Sequence, residues 1–240
     1  MSRTFVVSGA GSGIGAAVAR RLVADGAHVT AVGRRSEPLD ALRAELGAAV
    51  SPISADVSTT DGAARVAEAV DECAGVVAAA GGIGAQGDDS LDGVRAEWQD
   101  SFASNVLTAA LLVEALRKQL EVASGRVVLI SSIAALRGSG GGPYGAMKAA
   151  LHAYAFDLAR ELGKHGGTAN VVAPGFVPET GFWEGRRTPE LIEQRAAQTL
   201  VGRPGSPAEV ASLIAWLLGP DGSWVTGQVL SPNGGVVLGR

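Results

Sequence analysis

"TFVVSGAGSGIGAAVARRLVADG", residues 4–26, runs as a strand, a glycine turn and a helix in immediate succession. An apolar, β-branched run ends at Ser8, glycines crowd the next seven positions, and apolar residues then recur at helical spacing. Gly9, Gly13 and Gly15 let the backbone turn tightly, approach a pyrophosphate and pack helix on strand, while the helix N-terminus favours the anion. A glycine turn alone joins many strands to helices. Here the flanks fit a dinucleotide site: an apolar strand before, an amphipathic helix after, and a second strand, "HVTAV", at residues 28–32.

Working outward, strand-length apolar runs recur at "VSPIS", "GVVAAA", "RVVLIS", "TANVVA" and "QVLS", making six or seven strands with the first two. Between them the spacing predicts helices over Ile14–Asp25, Pro38–Leu46, Thr60–Asp71, roughly Val94–Glu121, Tyr144–Gly163 and Pro207–Leu218. This alternation predicts an α/β fold: a single doubly wound (Rossmann) domain over residues 1–240, its parallel sheet covered by helices on both faces. The segment 175–188, "GFVPETGFWEGRRT", is too long for a plain connection and reads as a substrate lid extending to about residue 200.

Composition supports a compact globule, with 47% hydrophobic residues, 18% charged residues and 34 glycines in 240 positions. A net charge of −4 without a basic block lacks the footprint of a nucleic-acid binder and favours a small-molecule partner. The single Cys73 rules out an intramolecular disulfide framework, and no metal site is expected. The apolar run in "MSRTFVVSGAG" is too short for a signal segment or a membrane span, so a soluble cytoplasmic protein without membrane association is expected.

The second strand ends in "AVGRRSE", where an NAD site would place an acid against the adenine ribose. Gly33, Arg34 and Arg35 stand there instead, and Arg34 suits a 2′-phosphate, favouring NADP(H) with NAD(H) possible. The alternative is that both arginines are solvated charges opening a helix. Farther on, "GSGGGPYGAMKAA", residues 138–150, sets Pro143 at a helix start and puts Tyr144 and Lys148 four apart on one face. A phenol of pKa about 10 is a poor base at neutral pH, and a neighbouring lysine cation brings the phenolate into range.

With both motifs in hand the chain resembles the classical short-chain dehydrogenase/reductase family nearly end to end. "SGAGSGIG" resembles the family's TGxxxGIG with Ser8 for Thr, and Tyr144 and Lys148 fit its Tyr-x-x-x-Lys. "ADV" at 55–57 resembles its adenine-contacting pair, "NVVAPG" at 170–175 its segment beside the nicotinamide, and "WVTGQVLSPNGG" its last strand and turn.

The resemblance implies a catalytic set of Ser132, which ends "RVVLISS", with Tyr144, Lys148 and Asn105 of "FASNVLTA". Tyr144 is then the general acid or base, Ser132 a hydrogen-bond partner of the substrate oxygen, Lys148 a holder of the nicotinamide ribose, and Asn105 part of a proton relay. It also implies cofactor contacts from Gly9, Ser12, Gly13, Ile14, Gly15, Arg34, Asp56, Val57, Ala80, Gly81, Tyr144, Lys148, Pro174, Gly175, Val177 and Thr180. The reaction implied is ketone and secondary-alcohol interconversion by a homotetramer or homodimer assembled through the long helices. Alternatives are an NAD-preferring dehydrogenase, a retained-nicotinamide epimerase or dehydratase, and a non-catalytic sensor or partner subunit. Two stretches depart from the family pattern: "AAAG" at 78–81 replaces NNAG, and "VPET" carries one inserted residue, which leaves the partners of Val177 and Thr180 open.

Overall fold

The computed structural model describes residues 3–84, 87–183 and 185–239. Seven strands, β1 (Thr4–Ser8), β2 (His28–Gly33), β3 (Val50–Ser54), β4 (Gly75–Ala78), β5 (Arg126–Ile130), β6 (Thr168–Val172) and β7 (Val229–Leu230), form one sheet. Its order is β3-β2-β1-β4-β5-β6-β7 and every pairing is parallel. The helices are α1 (Gly13–Ala24), α2 (Ser36–Leu46), α3 (Thr60–Glu68), α4 (Leu91–Phe102), α5 (Thr108–Ala115), α6 (Arg117–Val122), α7 (Ala134–Arg137), α8 (Tyr144–Gly163), α9 (Pro189–Ala196) and α10 (Pro207–Leu218).

Strands buried on both faces must be apolar at successive positions, and the pleat sends neighbours to opposite sides. Val7, Val77, Val128 and Val172 pack with α1, α2 and α10 side chains such as Val18, Leu39 and Ile214. Their neighbours Val6, Val76, Val127 and Val171 pack with Leu112, Leu116, Leu151 and Leu158 on the other face. The chain reverses its direction of travel across the sheet between β1 and β4. Doubly wound folds open a binding crevice at that point, beyond the carboxyl ends of the strands.

All seven expected strands form, but the helix expected over Val94–Glu121 does not run unbroken. It starts earlier, at Leu91, where the Ser90 hydroxyl accepts from Gly93 N at 3.0 Å. Residues Ala103–Leu107 then form a π-helical turn between α4 and α5, and Leu116 (φ −97°, ψ 7°) separates α5 from α6. The Thr108 hydroxyl donates to Ser104 O at 2.9 Å beside the widened turn. Such turns are frequent at functional sites, and this one contains Asn105.

Two helices lie outside the sequence expectation. The four-residue α7 is too short to show periodicity, whereas α9 carries a visible start signal in Thr188 and Pro189. No helix among the described residues is long and apolar enough to cross a membrane.

Candidate functional site

A cleft of about 1940 Å³ opens along the carboxyl ends of the strands and takes in residues from the glycine turn, "AVGRRSE", "ADV", "AAAG", "RVVLISS", the Tyr144–Lys148 helix start and the segment after β6. At one end the glycine turn leads from β1 into α1. Ser12 occupies the N-cap position without a capping bond from its side chain, and the first turn of α1 has no acidic residue. The N–H groups that open a helix have no partner within it, so this end is left to an anion. Gly13 has φ +53°, and a Cβ there would meet the Thr180 Cβ at 3.0 Å, so the chain is bare where it passes closest to the segment after β6. These features fit a dinucleotide pyrophosphate.

Beyond β2, Arg34 is exposed at the cleft edge and forms no salt bridge among the described residues. Asp56 accepts hydrogen bonds from Ser58 Oγ at 2.7 Å and Ser58 N at 3.0 Å. Those bonds, with a smaller contribution from the Arg34 charge, hold its carboxyl below the ordinary range. Val57 is buried beside it, giving the expected adenine end one polar and one apolar neighbour.

At the other end Tyr144 opens α8 and Ser132 lies just beyond β5. Burial pushes the Tyr144 phenol up, against an opposing hydrogen bond with Ser132. This differs from the expectation that Lys148 lowers it, because desolvation is the larger effect here. The Lys148 Nζ is buried, donates to Ile130 O at 3.0 Å and lies 5.9 Å from the centroid of the Tyr144 ring. Burial lowers its pKa to about 8.

Asn105 joins them through Gly81. A Cβ on Gly81 would lie 2.8 Å from Asn105 Oδ1 and 2.9 Å from Lys148 Nζ, so both polar groups converge on a residue without a side chain. Asn105 is fully buried and grips Gly82 twice, donating to its carbonyl at 2.8 Å and accepting from its N–H at 3.0 Å.

Several positioning groups escaped the sequence reading. Ser8 Oγ accepts from Ala80 N at 3.1 Å, tying the "AAAG" stretch to β1. Ser131 donates to Lys148 O at 2.8 Å and meets His152 Nε2 at 2.9 Å. Ser8 was read only as the glycine motif's substitute for Thr and Ser131 only as part of "RVVLISS", and nothing in the sequence announces their partners.

The segment after β6 folds back over the cleft. Gly175 N donates to Pro232 O at 3.0 Å, and Pro174 O accepts from Ile133 N at 2.9 Å. Val177 is buried among core residues, with its side chain packed inward. Thr180 faces Gly13, donating to Val177 O at 3.1 Å, so the inserted residue still leaves this threonine at the glycine turn. Phe182 then meets Trp183 edge to face, with ring centroids 4.9 Å apart.

A switch-point crevice with an anion-ready helix end is how doubly wound dinucleotide-binding folds hold their cofactor. Known proteins agree. The family described as enoyl-(acyl carrier protein) reductase matches residues 9–237. Galactitol 2-dehydrogenase (L-tagatose-forming) of Cereibacter sphaeroides is 35% identical over 97% of this chain and 94% of its own. The 3-oxoacyl-[acyl-carrier-protein] reductase MabA of Mycobacterium tuberculosis is 35% identical over 100% and 95%. A crystal structure of a Burkholderia thailandensis oxidoreductase of the short-chain dehydrogenase/reductase family superposes with TM-score 0.90 at 31% identity, over 100% of this chain and 94% of that one. The chain belongs to the short-chain dehydrogenase/reductase family of NAD(P)(H)-dependent oxidoreductases.

Proposed function

We propose that this protein interconverts a ketone and a secondary alcohol, using NADP(H), with Tyr144 exchanging the proton. The observation that carries this reading is the group formed by half-buried Tyr144 and Ser132 with buried Lys148 in a cleft whose other end suits a dinucleotide. The bound cofactor supplies the hydride. In reduction, the carbonyl carbon gains that hydride and the oxygen gains the proton of the Tyr144 hydroxyl. Ser132 Oγ accepts from Ala134 N at 3.1 Å, which orients its hydroxyl beside that of Tyr144, where it can turn to the substrate oxygen.

The raised phenol pKa suits reduction, because it keeps Tyr144 protonated at neutral pH. Lys148, at about 8, remains mostly cationic there and has its charge next to the phenolate left after proton transfer. Asn105 holds the Gly82 backbone and with it the loop that borders the reacting end. Arg34, exposed at the cleft edge, would meet a 2′-phosphate, and the position of Thr180 beside Gly13 supports a contact with the pyrophosphate. Segment 175–200 serves as the lid.

The test is Tyr144→Phe, followed by reduced-nicotinamide absorbance with a panel of ketones. Removing the hydroxyl should slow turnover by about 10²–10⁴ with cofactor affinity little changed. A rate within a few-fold of the parent would end this mechanism.

A further inference from the structure

Three arginines reach the same cleft from different elements. Arg137 ends α7, Arg186 lies in the lid, and Arg195 is on α9. None pairs with a carboxylate among the described residues, where the ion pairs lie on outer helices and loops. Arg137 makes no side-chain hydrogen bond among those residues and is exposed at the mouth. Arg186 is already held in place: its guanidinium lies 5.0 Å from the Phe182 ring centroid and 5.6 Å from that of Trp183, and it donates to Phe182 O. The same Phe182 ring touches Tyr144, so a single aromatic residue separates this cation from the phenol. Arg195 Nε is buried without a partner, although its Nη1 reaches Gln198 Oε1 at 3.4 Å, and both residues line the cleft.

Acidic residues line the cleft as well. Asp89, Glu97 and Asp100 line the cleft from α4 and the loop before it, and Glu97 Oε1 would be 3.0 Å from a Cβ on Gly142. An anionic group in the cleft is attracted by the arginines and repelled by these carboxylates. A guanidinium pre-stacked on aromatic rings loses little freedom when it forms a bidentate bond to an oxyanion.

We infer that the substrate carries a carboxylate or phosphate, bound by Arg186 with Arg137 and Arg195 around it, and that this anchor fixes which way the carbonyl enters the cleft. The inference rests on the ketone–alcohol reading above and specifies its substrate class. It makes Arg186 a specificity-determining residue.

The test compares matched substrates with NADPH: 4-oxopentanoate against its methyl ester, and dihydroxyacetone phosphate against dihydroxyacetone. The anionic member of at least one pair should have the higher kcat/KM by about ten- to a hundredfold, mainly through KM, and the pair preferred distinguishes carboxylate from phosphate. Arg186→Gln should bring that ratio close to one, and Arg137→Gln should lower it less, with cofactor binding measured in each variant as a check on folding. Equal use of both members of both pairs by the unaltered protein overturns the inference, as does an anion preference that both variants retain. Calorimetry on the NADP⁺-loaded protein with glutarate, dimethyl glutarate and inorganic phosphate gives a readout independent of turnover. If no ketone reacts, the ketone–alcohol reading falls. Glutarate or phosphate binding that depends on Arg186 would still support the anion site, and no binding of either would remove it.

Discussion

The rings of Phe182 and Tyr144 lie 5.3 Å apart, centroid to centroid, with their planes tilted by 46°. A residue of the expected lid therefore rests on the expected proton donor and helps to exclude water from it. Phe182→Ala should cost about 1 kcal/mol of stability from the lost ring pair and raise KM for a ketone several-fold. Steady-state kinetics and a denaturant titration check both effects. An unchanged KM would mean that the ring does not border the substrate.

On the proposed reading, Arg34 decides the choice of cofactor. One charge-assisted contact to a 2′-phosphate contributes about 1.5–3 kcal/mol, so NADPH should bind roughly ten- to a hundredfold more tightly than NADH. Arg34→Asp should erase or reverse that preference. Fluorescence titration of both nucleotides decides the matter, and equal affinities in the unaltered protein would count against this role.

Lys148 links the site to stability. Its folded pKa, about 8, is below the ordinary 10.5, so between those values the unfolded chain binds more protons than the folded one. Stability contributed by this group therefore rises with pH across that window, by on the order of 3 kcal/mol in all. Lys148→Met should lack this rise while also losing turnover and cofactor affinity. Denaturant midpoints of both proteins at pH 7 and pH 10 give the comparison, and parallel pH trends would refute the assignment.

Asn105→Ala removes both side-chain bonds to the Gly82 backbone in a fully buried place. The loss should be about 2–3 kcal/mol, with a fall in kcat from the loosened loop. Thermal denaturation with and without NADP(H) measures it. A melting temperature unchanged within error would show that water or a neighbour replaces the amide.

The strands, the glycine turn and the Tyr144–Lys148 pair were legible because each is a local signal. A β-branched run, a glycine spacing or an i, i+4 pair depends on residues a few positions apart. The π-helical turn at Ala103–Leu107 was not legible, because the apolar pattern continues across it and the Asn105 side chain finds Gly82, 23 positions away, only in the folded chain.

Local chemistry thus dictated the strands, most of the helices, the glycine turn and the spacing of Tyr144 and Lys148 on one helix face. Folding alone decided the sheet order β3-β2-β1-β4-β5-β6-β7, the meeting of Asn105 and Lys148 at Gly81, and the seating of Phe182 on Tyr144. It also set the direction of the Tyr144 and Lys148 shifts, because desolvation depends on how many neighbours close around a group. Those neighbours come from segments far apart in the chain, and no short-range pattern encodes their distances.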